Sequence, residues 1–213
     1  MPRVRSVTRA EAPSEVLMHY NRLFGESRDP VAEPGTSTGT PGNWWTVWAN
    51  VPGILRAFSA YSMADAPLDG VLRELAIMRT GFARGSHFVY SQHCKAARRN
   101  GVSDEKIAAV PYWNIADVFT PQERAVLAYV DGMILEGGRV HDQVFAQLRS
   151  SLPDDQILML TYFVNMYALH ATANKALRLE FDDVPERVVE IPAPEEAGVQ
   201  DWRDPAWADR ASV

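Results

Sequence analysis

This chain of 213 residues has very little cysteine and no long apolar run, and both absences limit what it can be. The single cysteine, Cys94, cannot form an intrachain disulfide, which fits a reducing cytoplasm. No stretch of about 18 apolar residues occurs, so we expect no transmembrane segment. The N-terminus also lacks the apolar core of a signal peptide. We therefore expect a cytoplasmic protein with no membrane partner.

Positive charge and metal-binding patterns are scarce as well. The chain has 21 Lys and Arg residues against 27 Asp and Glu, for a net charge of -6. No basic run could follow a phosphate backbone, so we do not expect nucleic acid as a partner. The sequence has no His-Glu-x-x-His motif, no clustered carboxylates and no second cysteine, which excludes the common metal sites. Phosphate-binding glycine loops are also missing, and we expect neither a metal nor a cofactor.

Alternating strand patterns are missing too, and nearly every segment has the features of a helix, so the predicted fold class is all-α. Ser86, Ser103 and Thr120 are predicted N-caps, and Gly101 is placed to end the helix that follows Ser86. We also expect Asn43 to cap the aromatic segment 44–48. Further helices are predicted over 13–24, from 52 to about 63, from 67 onward, over 121–136, 141–150 and 153–179.

The chain divides into three regions by composition. Residues 1–42 contain one helix and a loop rich in Gly, Pro, Ser and Thr; residues 43–180 form the helical domain; residues 181–213 form a C-terminal arm. The arm contains Trp202 and Trp207, whose large apolar areas are costly to leave in water. We expect it to lie on its own domain or on a neighbouring subunit, and a disordered tail is the alternative.

One acid and one imidazole on successive predicted helices are the candidate catalytic groups. Ser86, Val89 and His93 share one stripe of their helix because they are three and four residues apart. Glu74 has apolar and small neighbours on the preceding helix, so burial should raise its pKa toward neutrality. A carboxylate and an imidazole are sufficient to move a proton without a metal. The alternative is a purely structural pair, with a hydrogen-bonded core histidine and Glu74 paired to an arginine such as Arg73, Arg79 or Arg99.

Other chemically capable side chains have simpler interpretations. His87 is expected to be exposed, and Cys94 points away from the stripe and should behave as a small buried hydrophobe. His170, on the last helix, is interpreted first as a core or interface histidine and second as part of a pocket lining. The three tryptophans of segment 44–48 are expected to pack in the core.

Three segments, 72–79, 85–93 and 96–107, resemble the core of the carboxymuconolactone decarboxylase superfamily, which also contains the alkylhydroperoxidase-D (AhpD) peroxidases. The resemblance continues through 120–125 to the last helix and covers roughly residues 50–180. It implies an AhpD-like helical bundle that assembles into trimers or hexamers, with a pocket near a subunit interface. The C-terminal arm lies outside the resemblance.

The resemblance also assigns positions within the site. Glu74 and His93 match the glutamate and histidine of the peroxidase branch, whereas Ser86 and Val89 occupy its two cysteine positions. Peroxide reduction by a cysteine pair is therefore unavailable by that route. Cys94 is no substitute, because it follows the histidine and lies off the stripe.

The leading hypothesis is a cofactor-free lyase or isomerase acting on a small lactone, carbonyl or keto-acid substrate. His93 would be the general acid and base, and Glu74 would orient it or relay protons. Ser86 and Val89 would line the substrate site, and Arg79 or Arg84, from this or a neighbouring subunit, would hold a substrate carboxylate. Two alternatives remain open: an antioxidant peroxidase dependent on Cys94, and a catalytically silent helical oligomer that binds a small hydrophobic molecule.

Overall fold

A computed structural model describes residues 2–35, 42–60 and 67–179, and within these ranges the secondary structure is helical, without a strand. The all-α prediction is thus confirmed. The α-helices are α1 (Ser14–Phe24), α2 (Gly42–Trp48), α3 (Pro52–Ala60), α4 (Gly70–Ala83), α5 (His87–Arg99), α6 (Asp104–Ala109), α7 (Pro121–Ile134), α8 (Asp142–Arg149) and α9 (Asp154–Leu177). Short 3-10 turns span Arg9–Glu11 and Val110–Tyr112. None of the helices described here is long and apolar enough to cross a membrane.

Helix α4 is the centre of the fold because it contributes apolar side chains to two separate cores. Leu72 and Ile77 belong to the larger core, which α4 shares with α7 and α9. Leu75 and Met78 belong to a second core, shared with α5, α6 and α7. A helix with apolar residues around most of its circumference is expected to be buried on more than one side, and α4 is. The side chains on α4 are consequently held rigidly.

Helices α4 and α5 run antiparallel and approach each other closely. A Cβ atom added at Gly81 would lie 2.9 Å from the backbone nitrogen of Tyr90 and 2.9 Å from a methyl carbon of Val89. At the opposite end of the pair, a Cβ atom at Gly70 would lie 2.3 Å from Oδ1 of Asn100. Glycine at both ends therefore allows the contact between the two helices. Side chains between these ends, including Glu74 and His93, face one another across it.

An ion pair between buried Arg79 and partly buried Asp131 joins α4 to α7. Arg79 donates from Nε and Nη2 to the two carboxylate oxygens of Asp131 at 2.6 and 2.9 Å. Its Nη1 donates to the carbonyl oxygens of Val110 and Pro111. The indole of Trp113 donates to the same Asp131 carboxylate at 2.9 Å. This network fixes the turn after α6 against α4 and α7.

Most predicted helix ends are confirmed, and two are wrong. Ser86, Ser103 and Thr120 each accept a hydrogen bond from the backbone of the following helix, as N-caps do. Asn43 is not a cap, because α2 already begins at Gly42. Pro67 does not begin α4 either: the Asp69 carboxylate accepts from two backbone N–H groups and caps a helix that begins at Gly70. A short acceptor side chain at the N-cap supplies bonds that proline cannot.

Two parts of the predictions fall outside the described residues. The end of the helix predicted to reach residue 63 is one of them, since α3 is described to Ala60. The C-terminal arm with Trp202 and Trp207 is the other, since the described chain ends at residue 179. Helices α7 and α9 end at Ile134 and Leu177, each two residues before the predicted end.

Candidate active site

Glu74 of α4 and His93 of α5 are in direct contact. Nδ1 of the imidazole lies 2.7 Å from Oε2 of the carboxylate. The Glu74 side chain is 4% exposed and the His93 side chain 15% exposed. The acid is therefore enclosed, while the imidazole retains access to solvent. The meeting of these two groups, which the sequence could only suggest, is a property of the packed helices.

The charge state of Glu74 determines the orientation of the hydrogen bond. Burial raises the pKa of Glu74, but the adjacent His93 and the guanidinium of Arg73 act together to lower it, and the net pKa lies below the ordinary value. The sequence-based expectation of a raised pKa was therefore wrong, because it counted burial and not the partners. An ionised carboxylate can only accept, so Nδ1 of His93 carries the hydrogen of this bond.

The other ring nitrogen of His93 is then the basic one. In the part of the chain that the structure describes, Nε2 of His93 has no hydrogen-bond partner, and it is not sealed from solvent. A neutral imidazole with Nδ1–H bonded to a carboxylate presents the lone pair of Nε2 outward. This is the arrangement required of a general base that is oriented by an acid.

Arg73 completes the surroundings of the carboxylate. Its Nε donates to Oε1 of Glu74 at 3.1 Å, so Glu74 is held by a cation on one oxygen and by the imidazole on the other. The guanidinium also lies over the ring of Phe163, 5.9 Å from its centre. Adjacent residues on a helix do not usually face one another. Arg73 reaches its neighbour Glu74 because its long side chain bends back along α4. Residue spacing in the sequence therefore could not identify Arg73 as the partner of Glu74.

Tyr167 of α9 contacts the imidazole from the side. The two ring centres are 4.5 Å apart, and the planes are nearly perpendicular at 80°. Tyr167 also packs edge-on against His170, 5.1 Å away. An edge-to-face contact of this kind restricts rotation of the imidazole. The sequence offered only one signal for this role: Tyr167 precedes His170 by three residues, which places both on one face of the last helix.

His170 belongs to a buried aromatic cluster behind Tyr167. Its ring lies 4.5 Å from that of Trp44 and 5.3 Å from that of Phe58, and Trp44 stacks on Phe88. Burial, with a smaller contribution from His93, lowers the pKa of His170 to about 3. The interpretation as a core histidine is thus confirmed, and His170 is neutral near pH 7. Trp44 packs in the core as predicted.

Ser86 and Val89 are both buried on the first turn of α5. Ser86 Oγ accepts from the backbone N–H of Val89, so this hydroxyl is used as the helix cap. Val89 fills the space against Gly81, one turn before His93. The pair therefore occupies the expected positions on the α5 stripe. A role for either in substrate binding remains a prediction.

The structure does not bring Arg79 or Arg84 to the acid and the imidazole. The donors of Arg79 are committed to Asp131 and to two carbonyl oxygens at the contact between α4 and α7. Arg84 is exposed at the C-terminal end of α4, ten residues from Glu74 and thus about 15 Å along the helix axis. Among the described residues, Arg73 is the arginine in contact with Glu74.

His87 and Cys94 lie where the sequence suggested. His87 is exposed at the start of α5. Cys94 is buried in the second core, among residues such as Tyr90 and Ile107, on a different face of α5 from His93. Among the described residues, no three His, Cys, Asp or Glu side chains are grouped so as to hold a metal ion.

The fold and the paired acid and imidazole define a class, the all-α AhpD-like proteins, and comparison with known proteins agrees. The model of the carboxymuconolactone decarboxylase family matches residues 51–132. An uncharacterized protein of Bacillus subtilis, YdfG, is 27% identical over 102 residues, which are 47% of this chain and 69% of YdfG. The comparisons support the resemblance to the carboxymuconolactone decarboxylase/AhpD-like superfamily that the sequence motifs indicated, over the residues that the family model matches.

Two solved structures show the same fold. A protein of unknown function from Agrobacterium tumefaciens, provisionally named antioxidant defence protein AhpD, is 25% identical with a TM-score of 0.59, covering 63% of this chain and 94% of its own. A peroxidase-related protein with an AhpD core from Ralstonia eutropha is 17% identical with a TM-score of 0.64, covering 84% of this chain and 95% of its own. The second likeness concerns the fold alone.

Proposed function

We propose that this protein is a cofactor-free lyase or isomerase that transfers a proton to or from carbon in a small lactone, carbonyl or keto-acid substrate. The observation that carries the proposal is the 2.7 Å contact between Nδ1 of His93 and Oε2 of Glu74. It leaves Nε2 of His93 free to accept or deliver a proton. The buried carboxylate compensates the positive charge that the imidazole gains when it does so.

The chemistry requires only these groups. In an isomerase acting on an unsaturated substrate, Nε2 removes a proton from carbon next to a carbonyl and returns it to the γ carbon of the resulting dienolate, so that the C=C bond shifts. In a decarboxylase, the C–C bond to the carboxylate breaks, carbon dioxide leaves and the electron pair forms an enolate. The imidazolium of His93 then protonates the enolate carbon and recovers its proton from water.

Two features favour this proposal over the alternatives. Ser86 and Val89 supply no thiol beside His93, and Cys94 is buried on another face of α5, which disfavours thiol-dependent peroxide reduction. The partial exposure of His93 disfavours a sealed, purely structural pair.

The deciding experiment compares His93→Gln with His87→Gln, since both replace an imidazole on α5 and His87 is exposed. A panel of small lactones and keto acids is incubated in D2O, and proton exchange, isomerisation and loss of carbon dioxide are followed by NMR. We expect turnover to fall at least about 100-fold in His93→Gln and to be unchanged in His87→Gln. Full turnover in His93→Gln, or none in the wild type on any member of the panel, would remove the proposal.

We also propose that the protein self-associates through α9. Between Asp155 and Lys175 this helix has no Asp, Glu, Lys or Arg, and it exposes Leu158, Tyr162 and Leu169 along one stripe. This stripe is apolar apart from the exposed Asn165, so we expect another surface to cover it. Two copies of α9 packed antiparallel about a two-fold axis would cover this stripe. They would also place the acidic start of one helix against the basic end of the other.

A further inference from the structure

Arg73 has two terminal guanidinium nitrogens that remain available after its Nε has bonded to Glu74. Neither Nη1 nor Nη2 bonds to any group among the described residues, and neither is sealed from solvent. The side chain is nevertheless only 25% exposed, and it is held between the Glu74 carboxylate and the Phe163 ring. Arg73 is thus a fixed cation with two free donors.

Arg73 and His93 bind the same Glu74 carboxylate, and among the described residues each keeps at least one nitrogen without a hydrogen-bond partner. Arg73 binds Oε1 of Glu74, and His93 binds Oε2 of the same carboxylate. The two side chains therefore flank a single buried anion, each with hydrogen-bonding capacity left over. The rings of Phe163 and Tyr167, one turn apart on α9, contact Arg73 and His93 respectively. The groups around Glu74 thus include one cation, one base and two aromatic rings.

We propose that the terminal nitrogens of Arg73 bind the carboxylate of the substrate on which His93 acts. This inference rests on the proposed function and identifies the side chain that binds a carboxylate of its substrate. The two parallel donors of a guanidinium match the two oxygens of a carboxylate, and Glu74 keeps the planar group oriented for that pairing. The aromatic rings beside it suit the short carbon chain between the carboxylate and the reacting carbon.

The other arginines of α4 do not meet these requirements. Arg79 is saturated by Asp131 and two backbone carbonyls. Arg84 is exposed about 15 Å away along the helix. Arg84 therefore supplies a matched control, because Arg84→Gln removes the same charge from the same helix at a distance from His93.

The test measures binding of levulinate, a chemically stable keto acid, and of its uncharged methyl ester to the full-length protein by calorimetry. Arg73→Gln should weaken levulinate binding at least about tenfold, equivalent to 1.4 kcal/mol. It should leave the affinity for methyl levulinate unchanged. Arg73→Lys, which keeps the charge but not the paired donors, should lie between wild type and Arg73→Gln. Arg84→Gln should bind levulinate as the wild type does.

Several outcomes would overturn the inference: no levulinate binding by the wild type, undiminished binding by Arg73→Gln, or an equal loss in Arg84→Gln. A loss of methyl levulinate binding in Arg73→Gln would indicate a collapsed site and would also count against it. Failure of the proposed function is distinguished by His93→Gln and by turnover. If levulinate binds through Arg73 but the wild type moves no proton, the catalytic proposal fails and the anion site stands.

Discussion

Nδ1 of His93 donates to Oε2 of Glu74 across 2.7 Å, between two helices that meet at glycine-lined contacts. The contact orients the imidazole and selects the ring nitrogen that faces outward. It also accounts for the lowered pKa of an enclosed carboxylate, since burial acting alone would have raised that pKa. The catalytic proposal and the carboxylate-binding role of Arg73 both depend on this pair.

Replacing the acid should impair proton transfer without removing the base. In Glu74→Gln the imidazole loses the negative charge that compensates its protonation, and the amide can donate to Nδ1 and invert the tautomer. We expect turnover to fall by about 10²–10⁴, and the 15N NMR shifts of His93 should report a change in the populations of the two tautomers. Glu105→Gln, at an exposed position on α6, is the control. Wild-type turnover in Glu74→Gln would argue against any orienting role for the acid.

His170 should make the fold less stable in mild acid. Its pKa is about 3 in the folded protein and near 6.5 when unfolded, so the unfolded chain binds the proton first. The stabilisation from neutral His170 is fully present above pH 6.5 and is lost as the pH falls toward 3. Between pH 7 and 5 the loss should be about 2 kcal/mol in the free energy of unfolding.

Urea denaturation at the two pH values checks this prediction. The decrease in unfolding free energy from pH 7 to pH 5 should be smaller in His170→Phe than in the wild type by about that amount. His87→Gln, which changes an exposed histidine, should show the wild-type decrease. Equal pH dependence in His170→Phe and wild type would mean that His170 is not buried as a neutral group.

Cys94 should be chemically silent in the native state. Its side chain is packed in the second core, and a buried thiol in apolar surroundings resists formation of the reactive thiolate. We expect the native protein to react with a disulfide reagent such as Ellman's reagent only on unfolding, when one thiol per chain appears. Rapid native labelling, or hydroperoxide reduction that disappears in Cys94→Ser, would instead favour the antioxidant alternative.

The apolar stripe on α9 should mediate self-association. Leu169→Glu places a charge at one end of the stripe and should shift the sedimentation velocity of the full-length protein to a smaller species. Leu135→Glu makes the same change at another exposed leucine, just after α7, and serves as the control. A monomeric wild type, or an unchanged assembly in Leu169→Glu, would contradict pairing through this face.

The amino-acid sequence by itself determined the helices and the catalytic candidates. Caps such as Ser86 and Thr120 act through bonds to residues three positions away, and the Ser86–Val89–His93 stripe follows from helix geometry, so both can be predicted from local spacing. The motif around Glu74 and His93 likewise indicated the superfamily. These features depend on residues close together in the chain.

Only the tertiary structure decided which groups meet and in what charge state. It joined Glu74 to His93, placed Tyr167 against the imidazole and committed Arg79 to Asp131, 52 residues away. It also reversed the expected pKa shift of Glu74 by bringing Arg73 and His93 to a buried carboxylate. Long side chains can reach several partners, and the energy of a buried charge depends on all its neighbours. Those neighbours are set by how the helices pack.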